Sequence, residues 1–133
     1  MKKHNLNTFW ANLIIEELIR NGVDCFCISP GSRSAPLTAA VAQNKKAKSI
    51  IFYDERSSAF HALGYARASG KPAAVITTSG TACANLYPAI IEAAAGNIPM
   101  IVLTADRPPE LIDTSANQTI DQPGIFGPYT RWQ

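Results

Sequence analysis

The sequence predicts an α/β fold, a parallel sheet with helices on both faces, and three observations carry that expectation. Short apolar runs rich in β-branched side chains recur at about Asp24–Ile28, Ser49–Tyr53, Pro72–Thr77 and Pro99–Thr104. Between them lie segments whose small and apolar residues repeat at helical spacing, so helix and strand alternate along the chain, as right-handed parallel crossovers require. The apolar runs are continuous rather than alternating, the pattern of strands covered on both faces. The chain has 133 residues, of which 47% are hydrophobic and 17% charged, enough for one domain with a buried core.

The first helix follows Asn7 or Thr8 as cap, with Trp10, Leu13, Ile14 and Leu18 as its apolar stripe and Asn21-Gly22 as its stop. After the first strand, Ser29-Pro30-Gly31-Ser32-Arg33-Ser34 forms a turn. Ser34 suits the cap of the next helix and Pro36 its first position. The second strand ends at Tyr53, and Ala59, Ala62, Leu63 and Ala66 then mark a helix that stops near Ser69-Gly70. Thr78-Ser79-Gly80-Thr81 turns the third strand into an alanine-rich helix interrupted at Pro88, which either kinks it or begins a second segment. Beyond the fourth strand the periodicity dissolves into a loop from Ala105 to Gly124, of a length that is usually functional.

Composition excludes several classes of function. Net charge is +2 with the basic residues scattered; only Lys45-Lys46-Ala47-Lys48 cluster, as a solvated helix-to-strand loop, so no nucleic-acid footprint is expected. The start Met1-Lys2-Lys3-His4-Asn5 is basic, but Asn12, Glu16 and Glu17 break the apolar run a signal peptide would need, and no membrane span is expected. Cys25, Cys27 and Cys83 are odd in number, and the first two lie two positions apart in one strand; they read as reduced core residues of a cytoplasmic protein. His4 and His61 sit in unrelated contexts and complete no metal set with them.

The strand-to-helix turns after the first three strands and the loop after the fourth fall on one edge of a parallel sheet, the carboxyl edge, where ligands bind in such folds. Ser32, Arg33, Glu55, Ser79, Gly80, Thr81 and Arg107 therefore converge there from distant parts of the chain. Asp54 can cap a helix with Glu55 complementing its dipole, or the pair can serve a ligand; Arg33 can hold an anion at a helix start or be an ordinary surface arginine. Neither a G-x-G-x-x-G turn nor a phosphate-binding G-x-x-x-x-G-K-[ST] loop occurs, and Ser79 is not in a nucleophile elbow. What the edge offers is one carboxylate, two guanidinium groups and several hydroxyls.

Ile28-Ser29-Pro30-Gly31-Ser32-Arg33-Ser34-Ala35-Pro36-Leu37-Thr38, Asp54-Glu55-Arg56, Thr78-Ser79-Gly80-Thr81-Ala82, Asn85-Leu86-Tyr87-Pro88-Ala89, Leu103-Thr104-Ala105-Asp106-Arg107-Pro108-Pro109-Glu110-Leu111 and Ala116-Asn117-Gln118 together resemble one family. It is the MenD family, the 2-succinyl-5-enolpyruvyl-6-hydroxy-3-cyclohexene-1-carboxylate synthases, and the likeness is to their N-terminal domain. The resemblance implies the pyrimidine domain of the thiamine-diphosphate-binding fold over residues 1–133, with the family's other domains outside this chain. It implies Glu55 as the catalytic carboxyl group that shares a proton with N1′ of the cofactor, and Ser79, Gly80 and Thr81 as further cofactor contacts. It places Ser32, Arg33, Arg107, Asn117 and Gln118 around the substrates, isochorismate and 2-oxoglutarate. Magnesium or manganese and the diphosphate belong to an absent C-terminal domain, and a homodimer or homotetramer is implied for the full-length form, with no metal ligands in this chain. The sequence is also compatible with two other readings: one chain of a split thiamine-diphosphate decarboxylase, and a non-catalytic carboxylate-binding or interaction module.

Overall fold

The computed structural model describes residues 5–133. Its first helix, α1 (Leu6–Arg20), begins at Asn5, whose side chain accepts from the Asn7 N–H at 3.0 Å. The cap is thus Asn5 rather than Asn7 or Thr8. The buried face also differs from the expected stripe: Ala11 and Ile15 are buried, with Leu18 packed beside them, while Trp10, Leu13 and Ile14 face outward with Leu6 and Phe9. Helix α2 (Ala35–Gln43) packs against α1, and its small Ala40 lets the two approach closely, which favours Ala11 over a bulky neighbour at the contact.

Four strands, β1 (Cys25–Ile28), β2 (Lys48–Ile51), β3 (Ala73–Thr77) and β4 (Met100–Thr104), form one parallel sheet in the order β2-β1-β3-β4. Register aligns Cys25 with Lys48 on one side and with Ala73 on the other, and Ala73 with Met100. The even and odd positions of β1 and β3 supply two cores. Phe26, Ile28, Ala74 and Ile76 pack toward α1 and α2. Cys25, Cys27, Ala73 and Val75 pack toward α3 (Glu55–Ser69) and α5 (Tyr87–Ala95). The sheet is covered on both faces, as expected, but β2 is not. It is an edge strand with every residue exposed, including Ile51 at 53%, because the covering helices centre on β1 and β3.

Helix α3 meets the sheet through Ala59, Ala62 and Ala66, all at 1% exposure or less, and ends at Gly70 in the left-handed conformation, φ 69°. The interruption at Pro88 resolves as two segments. A single turn, α4 (Thr81–Ala84), is followed by α5 with Pro88 in its first turn, where a missing N–H costs nothing. All three cysteines are free and buried, as expected of core residues; burial pushes the Cys27 thiol up to about 12 and the Cys83 thiol up to about 11. His4 and the residues before it lie outside the described residues.

Candidate active site

The strand order reverses direction at β1: the chain steps from β1 outward to β2, then returns across β1 to β3. Such a reversal opens a crevice at the carboxyl ends of the two strands it separates. The β1–α2 turn begins with the Ser29 N–H still donating to Ile76 O at 2.9 Å. Gly31 then lies against the next turn so closely that a Cβ there would stand 2.5 Å from the Thr78 Cβ. Ser34 is the α2 cap position, yet its hydroxyl donates to Gly31 O at 3.1 Å and makes no bond to the helix. The turn is tied down at both ends. Ser32 and Arg33 are left exposed at its crest, without a hydrogen bond or ion pair among the described residues.

At the β2–α3 junction the two acidic residues divide their tasks. Asp54 caps α3, its Oδ2 accepting from the Ser57 N–H at 2.7 Å and from the Ser57 hydroxyl at 2.6 Å. These bonds hold its carboxyl below the usual range, with a smaller contribution from Arg56. Glu55 follows as the first residue of α3, half-buried, and no described residue hydrogen-bonds its carboxylate. The capping reading of Asp54 is therefore right, and it leaves Glu55 free for a ligand.

The third turn and the loop after β4 interlock. Ser79 is fully buried and its hydroxyl donates to Gln118 O at 3.0 Å. Gly80 has φ 79°, and a Cβ at that position would stand 2.6 Å from the same carbonyl oxygen, so only glycine admits the loop. Arg107 donates from its terminal nitrogen to Asn117 O at 2.7 Å, and its own N–H donates to Asp106 Oδ1 at 2.7 Å. Its Nε is shut off from solvent and has no partner among the described residues. Gln118 has φ 58°, an uncommon conformation for a residue with a Cβ, and its side chain and that of Asn117 are exposed. Gln122, which no sequence feature singles out, bridges this region, with its Oε1 accepting from the Gly80 N–H and its Nε2 donating to Ala105 O, both at 3.0 Å.

The structure thus pairs Ser79 with Gln118 and Arg107 with Asn117 by direct bonds, packs Gly80 against Gln118, and brings the Ser32–Arg33 turn beside them through Gly31 and Thr78. Thr81 is exposed at the start of α4. Glu55 stands at the end of the outer strand, linked to the others by the sheet rather than by contact.

Residues 10–125 match the family model described as thiamine pyrophosphate enzyme, N-terminal TPP binding domain. The chain belongs to this family. The thiamine pyrophosphate enzyme domain is also 62% identical over 126 residues to a 2-succinyl-5-enolpyruvyl-6-hydroxy-3-cyclohexene-1-carboxylate synthase of Rubrobacter xylanophilus, covering 95% of this chain and 22% of that relative. Synthases of the same name from Chlorobium phaeobacteroides and Chlorobaculum parvum are 60% and 61% identical over 99% of this chain, which spans 23% of each. The chain accordingly covers a little under a quarter of the length of the curated relatives it matches.

At the carboxyl edge Glu55 offers a carboxylate that no described residue hydrogen-bonds. The described residues contain no cluster of three or more His, Cys, Asp or Glu side chains able to hold a metal ion. No helix among them is long and apolar enough to cross a membrane.

Proposed function

We propose that this chain is the pyrimidine-binding domain of a 2-succinyl-5-enolpyruvyl-6-hydroxy-3-cyclohexene-1-carboxylate synthase, one that uses thiamine diphosphate to decarboxylate 2-oxoglutarate and add the succinyl unit to isochorismate. The observation that carries this is the identity of about three residues in five to synthases of that name over nearly the whole chain. The bound cofactor supplies an electron sink for the decarboxylation and a nucleophilic carbon for the addition. Glu55 holds a proton at N1′ of its aminopyrimidine, a role suited to a carboxyl group that the helix cap has left free. Ser79, Gly80 and Thr81 form the wall beside that ring.

Both substrates are carboxylates. Arg33, exposed and unpaired at the crest of its turn, and Arg107, with a buried nitrogen lacking a partner, supply the two cations that such groups call for. Ser32 and the side chains of Asn117 and Gln118 complete the polar lining. Magnesium or manganese and the diphosphate are held elsewhere in the working enzyme, a cytoplasmic homodimer or homotetramer.

The test is a chimera in which this chain replaces the matching segment of the Rubrobacter synthase. Retained synthase activity is expected. Arg33→Ala and Arg107→Ala in that chimera should each raise KM for one or both carboxylates while cofactor affinity holds, a loss of roughly 1.5–3 kcal/mol per charged hydrogen bond. A folded, cofactor-loaded chimera that fails to turn over, or arginine variants with unchanged kinetics for both substrates, would refute the assignment.

A further inference from the structure

Gln122 touches neither substrate nor cofactor in the proposed function, yet its side chain makes the bonds that close the site. It is 6% exposed, and both ends of its amide are used. Nε2 donates to Ala105 O, closing the base of the segment that starts where β4 ends; Oε1 accepts from the Gly80 N–H, docking that base on the β3–α4 turn. Both partners are backbone atoms, so the two bonds fix chain positions rather than side-chain rotamers. The tip of the segment is tied separately: the Ser79 hydroxyl of the β3–α4 turn donates to Gln118 O, and within the segment Arg107 donates to Asn117 O.

We infer that Gln122 is a positioning residue, setting the height of the 105–122 segment over the β3–α4 turn and hence where Arg107, Asn117 and Gln118 stand. This deepens the function proposed above and rests on it. A neutral amide is the side chain that can donate to Ala105 and accept from Gly80 at once, and asparagine is a methylene too short for that span. With the base unfastened, the segment must be ordered each time it presents its arginine, a cost that falls on substrate affinity rather than on turnover of the bound complex.

Gln122→Met keeps the length of the side chain and removes both bonds. In the 133-residue chain, hydrogen exchange at the Gly80 amide should accelerate while amides of β1 and β3 keep their protection. In the chimera, KM for the carboxylate substrates should rise roughly 5- to 150-fold, the range two lost hydrogen bonds span, with kcat nearly unchanged. A fall in kcat at constant KM would overturn the inference, because that is what loss of folded enzyme produces; so would unaltered exchange at Gly80. If the methionine variant does not fold, Gln122→Glu retains an acceptor for Gly80 and loses the donor to Ala105. Raised KM with Gly80 still protected is then expected, and a wild-type KM would overturn the inference. Inactivity of the unsubstituted chimera would count against the proposed function alone, since the exchange measurement needs no turnover.

Discussion

Asp54 and Glu55 are chemically alike and adjacent, and what separates them is which one the Ser57 backbone N–H engages. The engaged carboxylate is structural; the free one is the candidate acid–base group. Glu55→Gln in the chimera should therefore leave the fold intact and slow exchange of the cofactor's C2 hydrogen by about 10²–10⁴-fold, the usual loss for a positioned proton-transfer group. Exchange at the parent rate would reduce Glu55 to a helix-dipole residue. Gly80 makes a second case. With φ at 79° and Gln118 O where a Cβ would go, Gly80→Ala should destabilise the chain by about 1–3 kcal/mol in denaturant titration and lift the loop from the turn. An unshifted midpoint would show that the contact is soft. The residues at strand-to-helix junctions were legible in the sequence because a parallel sheet sends every such junction to one edge. Gln122 was not, since its partners are backbone atoms 42 and 17 positions away, and nothing in the residue type marks that reach.

Among the elements, α3 is tethered to the start of β1 at the opposite edge by Tyr65, whose hydroxyl donates to Asp24 Oδ1 at 2.8 Å, with Lys48 and Lys71 each 3.5 Å from Oδ2. The Tyr65 bond, and then the two lysines, hold the Asp24 carboxyl below its ordinary value, while the same bond raises the Tyr65 phenol. A lowered carboxyl contributes stability above its unfolded value of about 4 and loses it as pH falls through the folded value. A raised phenol contributes below its unfolded value of about 10 and loses it as pH rises through the folded one. The Tm difference between parent and Asp24→Asn should therefore be greatest between those limits and shrink on both sides. A difference independent of pH would mean that neither the Asp24 nor the Tyr65 titration is coupled to folding. The helices and strands themselves were legible from period and punctuation, but the faces of α1 and the exposure of β2 were not. Both are set by neighbours distant in sequence: α1 turns the smaller Ala11 inward to reach α2, and β2 is bare because it is an edge strand that the helices centred on β1 and β3 do not cover.

At the scale of the whole molecule, two cores flank the central strands, and the carboxyl edge carries the unengaged Glu55 carboxylate with no metal-ligand cluster among the described residues. The 133-residue chain alone should fold cooperatively yet give neither tight binding nor turnover with thiamine diphosphate, magnesium and 2-oxoglutarate, since a ligand held at one end forfeits the contacts of the other while losing the same translational freedom. Calorimetric titration followed by a decarboxylation assay checks this, and tight binding with turnover would contradict it. The outward turn of α1 has an optical consequence. The chain's two tryptophans, Trp10 and Trp132, are 56% and 91% exposed in the native state, so its fluorescence is already that of wet indole and will barely redden on unfolding. Denaturation is better followed by circular dichroism. The same indole on α1 is a built-in reporter, blue-shifting when anything dry settles on that helix.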